Sequence, residues 1–143
     1  MRTIKIVAAI AVIVVLILVV VLCLKKNKKY AFEDIIEVDK IIEISVKTQM
    51  TDQVQEIILD ENKSKETVEV LKRYTLRAVN EEIPKGWEYW FKIKTKTGEM
   101  ISVSFLGADA LNSTESRVVI DRVMYVLTGY NSDDFLFLFD KEK

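Results

Sequence analysis

The chain has 143 residues, room for one ordinary domain, and half of them are apolar. It contains no histidine and a single cysteine, which excludes the usual general base near neutral pH, the commonest zinc ligand and any intrachain disulfide. The net charge of −1 hides an asymmetry: every charged residue before residue 30 is basic, whereas residues 30–143 carry 15 cations against 22 acids, a net of −7, so nucleic acid is not an expected partner.

Residues 6–24 contain no charge, amide or hydroxyl; 15 of the 19 are Ile, Leu or Val, three are Ala, and one is Cys23. A helix rising about 1.5 Å per residue covers roughly 28 Å there, close to the roughly 30 Å hydrocarbon core of a bilayer. Each branched aliphatic favours insertion by roughly 0.3–0.6 kcal/mol at mid-membrane, so the segment reads as a transmembrane helix with the lipid bilayer as its first partner. A cleaved signal peptide has a shorter apolar core ending in small residues, whereas this run passes through Val21, Leu22 and Leu24 straight into Lys25. Leu22 before Cys23 also departs from the small residue that precedes a lipidated cysteine.

The flank formed by Lys25, Lys26, Lys28 and Lys29 stops the span and grips headgroups, and Tyr30 is placed for the aromatic belt. Counted literally, these lysines put the adjoining domain in the cytoplasm. Short N-terminal anchors with a basic start, here Arg2 and Lys5, commonly export the domain attached to them, and long domains translocate largely regardless of charge. The expected arrangement is a single-pass signal anchor of residues 1–29 with an extracytoplasmic domain of residues 30–143 at the cell surface.

Within that domain, Ile42-Glu43-Ile44-Ser45-Val46-Lys47 alternates as a strand with one buried face, and residues 54–59 come after a polar turn at 49–53, making a hairpin. Ser64 is placed to cap a helix from Lys65 to about Tyr74, with Val68, Leu71 and Tyr74 at helical spacing. Residues 76–79 are strand or extended connection, and 80–86 form a loop around Pro84. The clearest strand is 87–96, with Trp87, Tyr89, Phe91 and Ile93 on one face and Glu88, Trp90, Lys92 and Lys94 on the other. Thr97-Gly98-Glu99 turns it into a partner at 100–105. Strands at 117–120 and 123–127 meet at Asp121-Arg122, and Asn131 or Ser132 caps a short closing helix that carries Phe135, Leu136, Leu138 and Phe139. The fold class is therefore α+β: a transmembrane helix, then an antiparallel sheet of about five or six strands with two helices, in the order ββαββββα.

Catalytic patterns are thin. The four glycines, at 86, 98, 107 and 129, are isolated and build no phosphate loop, and the only cysteine lies in the span. Carboxylate pairs such as Glu81-Glu82 and Asp133-Asp134 read as solvated loop and helix start, so no enzyme, cofactor or metal site is expected. Two features stand above this background. Trp90 with Lys92 and Lys94 forms a face suited to an anionic ligand or protein partner if it is exposed, and otherwise an aromatic packed beneath a loop with lysines guarding an edge. The polar stretch 109–116 reads as a loop on the sheet.

The layout, a basic start, a Val/Ile/Leu span, a lysine cluster and a small acidic domain containing Lys85-Gly86-Trp87-Glu88-Tyr89-Trp90-Phe91, resembles single-span surface proteins of low-GC Gram-positive bacteria with a small exported domain of unknown function. That resemblance implies export and says nothing of mechanism. The expected function is a noncatalytic, membrane-anchored binding or accessory domain for a protein or envelope component. The alternatives are a membrane-tethered cytoplasmic regulator and an enzyme working with carboxylates alone.

Overall fold

The computed structural model describes residues 1–49, 55–107 and 115–139. It begins with helix α1 (Arg2–Lys26), long and apolar enough to cross a membrane, whose aliphatic side chains are exposed and uncovered by the rest of the described chain. Strand β1 (Lys29–Ala31) begins after two residues. Short 3-10 turns at Phe32–Asp34 and Val38–Lys40 lead to β2 (Ile41–Thr48), β3 (Gln55–Ile58), helix α2 (Glu61–Lys72) and β4 (Thr75–Val79). The chain continues through β5 (Tyr89–Thr95), β6 (Met100–Leu106), β7 (Ser116–Ile120) and β8 (Val123–Thr128), and closes with a 3-10 helix, Ser132–Leu138.

The strands form one open antiparallel sheet in the order β1-β4-β8-β7-β6-β5-β2-β3. The α+β class is as expected, but eight strands replace the expected five or six. The additional strand at the start lies in the lysine-rich flank: Lys29, Tyr30 and Ala31 pair with Arg77, Leu76 and Thr75. Three residues are too few to show a period of two, so β1 exists because β4 offers it a free edge. Residues 76–79, strand or extended connection by sequence, lie in strand β4, which starts at Thr75. The expected turn at 49–53 and loop at 109–116 fall mostly outside the described residues, as does Val54.

Alternation sorts the side chains as expected along β5. Tyr89, Phe91 and Ile93 are fully buried on the inner face with Ile44, Val46, Val103, Phe105, Val118 and Ile120. Helix α2 and the closing 3-10 helix cover this face through Val70, Leu71, Phe135 and Leu138. Phe135 is the hub, its ring centroid 4.9 Å from Phe91, 5.2 Å from Phe105 and 5.3 Å from Tyr89.

One expected helix cap is corrected and the other is borne out. Helix α2 starts at Glu61 and is capped by Asp60, whose side chain accepts from the Lys63 backbone N–H at 2.8 Å, rather than by Ser64. Asp is as good a cap as Ser, and Leu59 immediately before it is buried, which fixes where the chain turns. The closing helix is capped by Asn131, as one of the two candidates, with Asp134 completing a capping box.

Strands β7 and β8 are covered on both faces. Their register puts Arg117, Met124 and Val126 on the side away from the main core, where Leu106 joins them, yet all are nearly inaccessible. The cause is topological. β4 and β5 are separated in the sheet by β8, β7 and β6, so segment 80–88 must cross a face, and the inner one is filled. At one end Glu81 meets Arg117 at 3.4 Å, and at the other Trp87 packs edge-on against Trp90 at 5.8 Å, so the crossing runs over the outer face. The hairpin turn itself holds Asp121 and Arg122 at φ 45° and 71°, the left-handed pair that a two-residue connection requires.

Candidate functional site

Trp90 stands on the outer face of β5, and the ladder decides its neighbours. Lys47 of β2 lies directly opposite it, Ser104 of β6 on the other side, and Glu56 of edge strand β3 opposite Lys47. Lys92, two residues along β5, shares the face. The ammonium groups of Lys47 and Lys92 sit 5.4 and 5.3 Å from the Trp90 ring centroid, each within cation–π range. The indole N–H donates to Ser102 Oγ at 2.8 Å, which fixes the ring.

Glu56 holds the two cations in place, accepting from Lys47 at 3.2 Å and from Lys92 at 3.3 Å. The Lys47 hydrogen bond draws the Glu56 carboxyl below its ordinary value; desolvation opposes it and Lys92 adds to the lowering. Exposed ion pairs of this kind contribute little to stability, so the arrangement is better understood as ordering the surface than as holding the fold. Trp90 is half-buried, with Trp87 against its edge. Both expectations for Trp90 thus meet in one residue: it is flanked by the arm 80–88 and also keeps a surface bounded by lysines.

Of the residues singled out from sequence, Trp90 and Lys92 come together. Lys94 is exposed one step further along, opposite Glu43, outside the cation–π pair. Lys47, Glu56 and Ser102 were not singled out. Their only signal was alternation, which makes Lys47 face away from Val46 but cannot say which strand lies beside it. Trp87 departs from the expected inner face because β5 begins at Tyr89, and alternation has no force before the ladder starts. Among the flank residues, Lys25 and Lys26 end α1, Lys28 lies 5.0 Å from the Tyr30 ring, Lys29 opens β1, and Tyr30 is half-buried edge-on against Tyr125.

Several carboxylates elsewhere are engaged within the fold. Asp134 accepts from the Tyr74 hydroxyl at 2.7 Å and from the Asn131 N–H at 3.0 Å, while Glu88 accepts from the Tyr130 hydroxyl at 2.8 Å. Glu81 and Glu115 both reach the Arg117 guanidinium. Burial, then the adjoining carboxylate, raises the Tyr74 and Tyr130 phenols well above their ordinary value, and burial raises Tyr89 to about 12. Among the described residues no cluster of three or more His, Cys, Asp or Glu is placed to hold a metal. A concavity of about 600 Å³ between α2 and the start of β2 is floored by Ile41, Ile44 and Leu59 and rimmed by Glu61, Lys65 and Glu69, without polar groups converging on one point. No family model, curated protein or solved structure matches the chain.

Proposed function

We propose that the protein is a noncatalytic binding or accessory domain, anchored by α1 in the cell membrane and exposed on the extracytoplasmic side, that engages a protein or envelope component through the Trp90 face. The observation that carries the reading is the preassembled surface of Trp90 between Lys47 and Lys92, a rigid aromatic with two cations already oriented by Glu56. Aromatic anchors whose rotamer is settled before contact lose little entropy on binding, and lysines beside them favour an acidic or aromatic group. The anchor supports the reading because an uncovered helix, aliphatic on all sides, is matched to lipid rather than to water.

The second reading, a cytoplasmic regulator tethered to the membrane, is favoured by the four lysines at 25, 26, 28 and 29. Proteinase added to intact cells separates the two: loss of the domain supports the extracytoplasmic reading, and full protection supports the other. For the face itself, the full-length protein and its Trp90→Ala variant are cross-linked in cells and recovered. A partner held by the wild type should fall at least about tenfold in the variant, as expected for an aromatic hot spot. Equal recovery would remove Trp90 from the site.

A further inference from the structure

The β1–β4 ladder contains an unfavourable pair. Lys29 of edge strand β1 lies directly opposite Arg77 of β4, on the same outer face, and like charges facing one another destabilise a sheet. Among the described residues neither forms an ion pair. Glu81 and Glu115, the acids that reach Arg117 in the same cross-strand row, are committed there, two strands further in. A strand of three residues at a sheet edge has little pairing to offset the repulsion, yet this one opens on it.

The position of the pair supplies the missing partner. Helix α1 ends at Lys26, and residues 27–29 reach at most about 10 Å even when fully extended. The headgroup layer is roughly 5–8 Å deep on each side of the hydrocarbon core, so Lys29, if α1 spans the bilayer, is confined to its immediate neighbourhood whatever the angle of the domain. Arg77 is held about 5 Å from it by the ladder. An arginine fork and a lysine point charge side by side are suited to one phosphate, the fork binding two oxygens and the ammonium a third.

We propose that Lys29 and Arg77 together bind the phosphate of an anionic phospholipid, so that the β1 edge of the sheet seats on the membrane surface. The inference rests on α1 spanning the bilayer but not on the Trp90 face or on the side the domain occupies. It differs from general attraction to the lysine flank, because Arg77 belongs to the folded sheet and lies 48 residues away from Lys29 in sequence. The bound lipid neutralises the pair, completes β1 and restricts how the sheet stands relative to the membrane, which sets where the outer face can meet a partner.

The test is hydrogen exchange of the full-length protein in nanodiscs of phosphatidylcholine alone and of phosphatidylcholine mixed with phosphatidylglycerol. Exchange of residues 29–31 and 75–77 should be about tenfold slower in the mixed discs, and raised salt should remove the difference. The Lys29→Gln, Arg77→Gln variant keeps Lys25, Lys26 and Lys28, and it should lose the slowing while exchange of β5 and β6 stays as in the wild type. Neutralising a repulsive pair does not threaten the fold, and unchanged β5 and β6 protection verifies that. Equal exchange in both discs, slowing retained by the variant, or slowing reproduced by inorganic phosphate in phosphatidylcholine discs would each overturn the proposal. A chain that failed to enter discs would remove the span itself, an outcome distinct from entry without lipid dependence.

Discussion

The two faces of β5 carry aromatic residues for opposite purposes. On the inner face Tyr89 and Phe91 are closed in by Phe105 and Phe135, and their hydroxyl and ring edges are satisfied inside the protein. On the outer face Trp90 is bounded by charged groups that keep contact with water. The same residue class one position apart therefore makes a core on one side and a surface on the other. What differs is the neighbouring strand's contribution, aliphatic and aromatic within, lysine and serine without.

The largest expected difference comes from emptying the hub. Phe135→Ala should cost about 3–5 kcal/mol in urea unfolding of the detergent-solubilised chain, followed by tryptophan fluorescence, because the rings around it belong to separate strands and cannot collapse together. A cost near 1 kcal/mol would mean that the closing 3-10 helix is not part of the core.

Alkali should distinguish the faces next. Tyr74, Tyr89 and Tyr130 ionise less readily in the fold than in the unfolded chain, where their ordinary value is 10.0. Their contribution is therefore whole below about pH 10 and is lost as pH rises from there through about 12, the folded value for Tyr89. Unfolding free energy should decline across that interval, and the Tyr74→Phe, Tyr130→Phe variant should decline less steeply. An identical slope would detach these phenols from alkaline unfolding.

The smallest effect on stability should come from the outer face. Trp90→Ala removes two surface cation–π contacts and one hydrogen bond, about 1–2 kcal/mol in the same urea assay. A loss as large as that of Phe135→Ala would make the Trp90 face a second core rather than a binding surface.

Local pattern made part of this molecule legible. The uninterrupted aliphatic run defines α1, and alternation along 43–48, 89–95 and 100–106 assigns inside and outside before any pairing is known, whereas Ile42, in phase with Ile44 and Val46, is 55% exposed because the ladder shifts register between Ile41 and Glu43. Trp90 could be singled out for the same reason: among alternating residues, an aromatic in phase with lysines is out of phase with the core. Lys47 and Glu56 could not be joined to it, because both lie more than thirty residues away and only strand order brings them there.

Near neighbours along the chain settle the long apolar helix, the facing of the long strands away from the irregular start of β2, one helix cap directly and the other to within four residues, and the class of fold. Pairing between distant segments had to settle that β1 forms within the lysine flank, that segment 80–88 crosses the outer face and buries Arg117, and that two lysines from different strands enclose one indole. Periodicity is a property of consecutive residues, whereas register and strand order depend on which distant edges find each other, and that competition leaves no mark on either partner alone.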